Sequence, residues 1–155
     1  MADKQLLIIG HVPSPNTQKL RDAALAGATS KDIAGVAVRA LSPFDAGPDD
    51  VLQADAVILG TTENLGYMSG ALKDFFDRSY YGVLEQKQGL PYALYVRAGL
   101  DGTGTIRGVE TIVTGLRWKA VCAPLLLKGD WRDGFVDEAQ ELGLLLATGL
   151  EQGVF

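Results

Sequence analysis

ADAVILGTTENLGYMSGALKDFFDR, residues 54–78, is the stretch whose reading decides the fold. Ala56-Val57-Ile58-Leu59 is a continuous apolar run with β-branched members and no polar alternation. Such a run is a strand buried on both faces, as the centre of a parallel sheet requires. It stops at Gly60. The residues that follow, rich in Thr, Asn and Gly, are too polar for a core and read as a long loop carrying Tyr67 and Met68 up to Ser69. Ser69 is placed to cap a helix that sets Leu72, Phe75, Phe76 and Ser79 on one face, with Lys73, Asp74, Asp77 and Arg78 largely on the other. The loop leaves the carboxyl end of a buried strand, which is where open α/β sheets bind ligands.

Working outward, Leu6-Leu7-Ile8-Ile9 is a second buried strand, followed by the loop HVPSPNTQ and a helix that Asn16 or Thr17 can cap, ending near Gly27. Its Leu20, Ala24 and Leu25 face the sheet. Val36 to Leu41 is less apolar, hence nearer an edge, and the Pro- and Asp-rich segment Ser42 to Asp50 allows a short helical turn at most. Pro91 to Val96 is a further strand, with the glycine-rich loop RAGLDGTGT, residues 97–105, at its end. Ile106, Val109, Ile112, Val113 and Leu116 recur at helical spacing. Val121 to Leu127 is a last strand in which Pro124 argues for an edge or a bulge. Gly134 to Leu150 is a closing helix, with Phe135, Ala139, Leu142, Leu145 and Leu146 inward. Five strands alternating with helices give an α/β fold: a three-layer sandwich with a parallel sheet in the order 2-1-3-4-5. In that order the loops 10–18, 61–69 and 97–105 converge.

At 155 residues one domain is expected, 1–155, and it can bury a core without metals or disulfides. A net charge of −5 with scattered cations argues against nucleic acid, which needs a basic stripe. The single cysteine, Cys122, cannot form an internal disulfide or by itself hold a structural metal, and its apolar neighbours read as a buried thiol on a strand. The apolar run in MADKQLLIIG is too short for a signal peptide, and no stretch approaches the roughly 20 apolar residues of a membrane span. A cytoplasmic location with no membrane partner is the expectation.

Loop 10–18 leads its backbone N–H groups into a helix start, an arrangement that binds phosphate through free amides and the helix dipole. Pro13 and Pro15 lack an N–H, so any cradle rests on Ser14, Asn16, Thr17 and Gln18. An ordinary capped turn is the plainer alternative, and His11 at the strand end is the kind of lone histidine that is usually structural. The chain has no GxxxxGK[ST] and no GxGxxG after the first strand. It has no GxSxG elbow either. The acidic residues of a phosphoacceptor domain are also missing, since Gly10-His11 and Thr61-Thr62 stand in their places.

The pattern SPNTQKL after the first strand, GTTENLGYMSGALKDFFDR after the third and a glycine-rich loop after the fourth resembles the flavodoxin family. The likeness is to its branch near the WrbA-type NAD(P)H:quinone oxidoreductases and the NADPH-dependent FMN reductases. Its most specific part is Gly66 to Arg78, and it spans nearly the whole chain in element order. The resemblance implies non-covalent FMN, with phosphate on Ser14, Asn16 and Thr17, beside Gln18. The flavin ring would lie against Thr61, Thr62, Glu63, Asn64, Gly66, Tyr67 and Met68. Its pyrimidine edge and ribityl chain would lie near Arg97, Ala98, Gly99, Gly102 and Gly104. It names no catalytic side chain, because the protein's part in flavin hydride transfer is positioning and electrostatics. Glu63-Asn64 departs from the aromatic or small apolar residues usual in the family, and a carboxylate against the ring would lower its reduction potential.

The implied activity is an oxidoreductase passing electrons from NAD(P)H through FMN to a quinone or similar acceptor, compatible with a homo-oligomer. Lys73, Arg97 and Arg107 are candidates for a nicotinamide phosphate. Trp131 reads as packing, away from the flavin. Two other readings stay open: an electron-carrying flavodoxin, and a flavodoxin-like module without FMN.

Overall fold

The structure, a computed structural model, describes residues 3–155; Met1 and Ala2, which open the N-terminal stretch considered above, lie outside the described residues. The strands are β1 (Lys4–Gly10), β2 (Val36–Leu41), β3 (Ala56–Asn64), β4 (Tyr67–Met68), β5 (Pro91–Ala98), β6 (Lys119–Ala120) and β7 (Leu125–Lys128). The helices are α1 (Pro15–Ala28), α2 (Pro48–Leu52), α3 (Gly70–Val83), α4 (Thr103–Gly115) and α5 (Gly134–Glu151). The parallel sheet runs β2-β1-β3-β5, and β6 and β7 share the fifth position beside β5. This is the expected 2-1-3-4-5 order, with the last strand in two pieces.

The break has a local cause. Between the pairs Tyr92↔Ala120 and Tyr95↔Leu125, β5 passes through Ala93 and Leu94 while the edge chain passes through Val121, Cys122, Ala123 and Pro124. Pro124 has no N–H for a ladder, so the surplus bulges out. Cys122 therefore sits in the bulge, half-buried, rather than on a strand, and burial pushes its thiol pKa up.

Alternate residues of the buried strands serve two cores. Leu7, Ile9, Val57, Leu59, Leu94 and Val96 meet Leu72, Phe75 and Phe76 of α3 with Val109 and Val113 of α4. Leu6, Ile8, Ala56, Ile58 and Ala93 meet Leu20 and Ala24 of α1 with Phe135, Ala139, Leu142 and Leu146 of α5. Each Val, Leu, Ile or Phe among them contributes about 1.5–3 kcal/mol by leaving water. Leu145, expected inward, is 46% exposed. The buried stripe of α5 runs through Leu142, Leu146 and Leu150, and Leu145 falls beside it.

Helices α1 and α5 touch backbone to backbone: a Cβ on Gly143 would lie 1.9 Å from Ala24 O, and one on Gly27 would lie 2.0 Å from Gln140 O. That seam seats the C-terminal half of α1 on α5. On the same side of the sheet, the Tyr95 ring covers Gly60, whose Cβ would stand 2.1 Å from the ring, and its hydroxyl reaches 2.7 Å from the same point on Gly10. Two strand-end glycines thus make room for one buried aromatic ring, whose hydroxyl has no partner among the described residues.

Candidate functional site

The turn from β1 into α1 is capped by Ser14 rather than by Asn16 or Thr17. The Thr17 amide donates to Ser14 Oγ at 3.2 Å, and the Ser14 amide donates to Thr17 Oγ1 at 3.0 Å, a reciprocal capping box. The two hydroxyls are themselves 2.9 Å apart, and the Gln18 amide donates to Ser14 O at 3.0 Å. The first amides of a helix have no carbonyl of their own to bond. With Pro15 lacking one, Thr17 and Gln18 engaged, and Thr17 Oγ1 itself donating to Ser14 O at 2.9 Å, the Asn16 amide and the Ser14 hydroxyl are what the first turn has left to offer. The Gln18 side chain is tied to Asp22 at 2.8 Å.

The segment after Gly60 is a hairpin, not a loop. β3 continues through Thr61, Thr62, Glu63 and Asn64, turns at Leu65-Gly66 and returns antiparallel as Tyr67–Met68. Leu65 (φ 53°) and Gly66 (φ 77°) are both left-handed, the geometry of a tight hairpin turn. The polarity that suggested a loop belongs to a two-stranded projection that needs no core face. Thr61 is buried, its Oγ1 accepting the Ser69 amide at 2.9 Å, and Ser69 Oγ in turn accepts the Leu72 amide at 3.1 Å. Met68 is 2% exposed and packs in the α3–α4 core, while Tyr67 stays partly exposed and lays its ring on Gly108 of α4.

The β5–α4 loop meets that hairpin. Gly66 O occupies the place of a Cβ on Gly104, and Leu126 occupies that of Gly102, itself at φ 69°. Packing against backbone requires the first glycine, Gly104, and the left-handed backbone requires Gly102. A Cβ on Gly99 would meet nothing within 4 Å and would face open space. Ala98 is buried in the α3–α4 core. Glu63 does not stand unpaired: its carboxylate accepts the Leu100 amide at 3.1 Å and the Gly102 amide at 2.8 Å.

Arg97 points away from this end of the loop. It donates to Ala98 O at 2.9 Å and Leu127 O at 3.1 Å, with its guanidinium over Phe135 and Trp131 at 5.1 and 5.8 Å. Trp131 packs edge-on against Phe135. Lys73 pairs with Asp77 at 2.6 Å; that hydrogen bond raises its pKa. Arg107 is exposed and has no ion pair among the described residues. The structure thus brings together Ser14, Asn16 and Thr17 at one strand end and Glu63, Gly66, Tyr67, Gly102 and Gly104 at the neighbouring ones, leaving the Arg97, Ala98 and Met68 side chains elsewhere.

Sequence reasoning missed Arg78 as a builder of this end of the molecule. Its guanidinium holds Pro43 O at 2.7 Å, Ala46 O at 3.0 Å and Asp74 at 2.8 Å, fixing the segment after β2. That segment presents Phe44, 62% exposed, edge-on to His11 with ring centres 6.4 Å apart. Arg78 closes the most specific motif in the chain, which was the available signal. His11 Nδ1 and Thr105 Oγ1 are buried without partners among the described residues, and burial holds His11 below its ordinary pKa.

An archaeal flavodoxin superposes with a TM-score of 0.79 at 20% identity, over 94% of this chain and 98% of its own. The fold is the flavodoxin fold. A WrbA-like flavodoxin protein from Agrobacterium tumefaciens matches at a TM-score of 0.73 and 17% identity, over 97% of this chain and 99% of its own. The apo form of an NADH:FMN oxidoreductase matches at 0.73 and 17% identity, over 95% and 90%. No family model and no curated protein matches the sequence. In this flavodoxin fold, β1 and β3 flank the point where strand order reverses, and the two candidate walls rise there. No helix among the described residues is long and apolar enough to cross a membrane.

Proposed function

We propose that this chain binds FMN without a covalent link and is an oxidoreductase that passes electrons from NAD(P)H to a quinone or a similar small acceptor. The observation that carries the proposal is the convergence of the Ser14–Thr17 turn, the β3–β4 hairpin and the β5–α4 loop at the reversal point of a parallel sheet. The donor set fits such a group. Ser14 Oγ and the Asn16 amide suit a phosphate at a helix start. Buried polar atoms without partners call for one, and His11 Nδ1 and Thr105 Oγ1 are two such atoms at this end of the sheet. When bound, FMN supplies the hydride and electron chemistry. The residues named here hold and orient it, and no side chain is assigned acid–base work.

An apolar acceptor suits the rim. Leu65, Leu100 and Phe44, on the chain segments after β3, β5 and β2, are 106%, 80% and 62% exposed. The solved structures of this fold include an NADH:FMN oxidoreductase and a WrbA-like protein, which favours an enzyme, and an archaeal flavodoxin, which favours an electron carrier as the second reading. A cytoplasmic location and a homo-oligomer belong to the enzyme reading. The test is steady-state oxidation of NADH and NADPH by the FMN-supplemented protein with a soluble quinone. Sustained, FMN-dependent turnover is expected; flavin binding without turnover would give the carrier reading the lead.

A further inference from the structure

The hairpin and the β5–α4 loop are joined by one side chain from 37 and 39 residues away: Glu63 takes the amides of Leu100 and Gly102. Beyond Ala98, whose carbonyl accepts the Gly129 amide at 2.9 Å, the loop's other fixed bonds are local, from the Thr103 amide to Asp101 and from the Ile106 amide to Gly102 O. Two amides spaced i and i+2 at the head of a helix form an anion-binding concavity. Here an internal carboxylate fills it. The geometry points to Glu63 as a positioning residue: it ties the hairpin to the β5–α4 loop and so sets the distance between the two walls of the ring end.

This rests on the proposed flavin site, but its first readout does not need flavin. Amide hydrogen exchange at Leu100 and Gly102 is protected in the unliganded protein and accelerates about tenfold or more in Glu63→Ala, the effect of losing a charge-assisted hydrogen bond. Glu63→Gln keeps the side chain's size and one acceptor oxygen, accelerates exchange less, and guards against a folding defect in the alanine variant. The second readout separates the two ends of the ligand. Riboflavin carries the ring without the phosphate, so Glu63→Ala weakens riboflavin and FMN by the same factor, about tenfold, and leaves the ratio of their affinities unchanged. A purely structural defect would instead lower the melting temperature and erode both ends.

Unchanged exchange at both amides overturns the inference, as does riboflavin affinity equal to that of the original chain. A variant-specific collapse of the FMN-to-riboflavin ratio overturns it too. If the original chain binds neither flavin while exchange at the two amides responds as stated, the function proposal falls and the brace stands.

Discussion

The two ends of the candidate site are built in opposite ways. The β1–α1 turn is held by bonds within a span of five residues: Ser14 and Thr17 cap each other, and Gln18 closes on Ser14. The β3–β4 hairpin and the β5–α4 loop are held by residues far apart in sequence, through Glu63 on Leu100 and Gly102, Gly66 on Gly104 and Tyr67 on Gly108. A local cap survives wherever its helix starts. A cross-strand brace exists only if the sheet order is right, so the ring end depends on the global fold and the phosphate end mainly on α1.

The largest expected effect displaces the helix that carries the phosphate end. Gly143→Ala forces a methyl into Ala24 O, a backbone atom that cannot swing aside, and so moves α1 off α5. We expect a loss of about 3 kcal/mol by chemical denaturation, in the range of overpacked cores. Gly104→Ala, whose Cβ would lie 2.0 Å from Gly66 O, should push the hairpin off α4 at a cost of about 2 kcal/mol, with the ring end disturbed and the Ser14–Thr17 turn intact. Chemical shifts of residues 14–18 unchanged beside shifted residues 61–68 would bear this out.

Ser14→Ala removes the cap of α1 and should lower stability by about 1 kcal/mol, while the hairpin keeps its exchange protection. The smallest effect is a slope with pH. Burial holds His11 below its ordinary value of 6.5, so the folded chain binds fewer protons there than the unfolded one. Stability then falls as pH drops from about 6.5 through the lower folded value. His11→Gln should flatten that part of the pH profile, measured as melting temperature in steps of pH.

Periodicity and apolar runs made the strands and helices legible, because Ile58 or Leu72 has a buried environment whatever lies far away in sequence. Pro124 announced the break in the last strand for an equally local reason. The hairpin was not legible: Thr61 to Met68 carries the composition of a loop, yet Thr61 and Thr62 still pair with Val96 and Arg97 of β5, and Glu63 and Asn64 pair with their own return. Arg97 was misplaced because strand alternation puts it with Tyr95 on the α1–α5 side, where Leu127 O, Trp131 and Phe135 hold it. Glu63 read as an intruder beside a ring, since nothing in the sequence shows that two amides almost forty residues away converge on it.

The most direct measurement is a fluorescence titration of FMN with the purified chain, since a ring held between the hairpin and the loop is quenched and a free one is not. Saturable quenching at one FMN per chain, weakened by Ser14→Ala, is the predicted result. FMN fluorescence that stays unchanged at a large excess of folded protein would contradict the account.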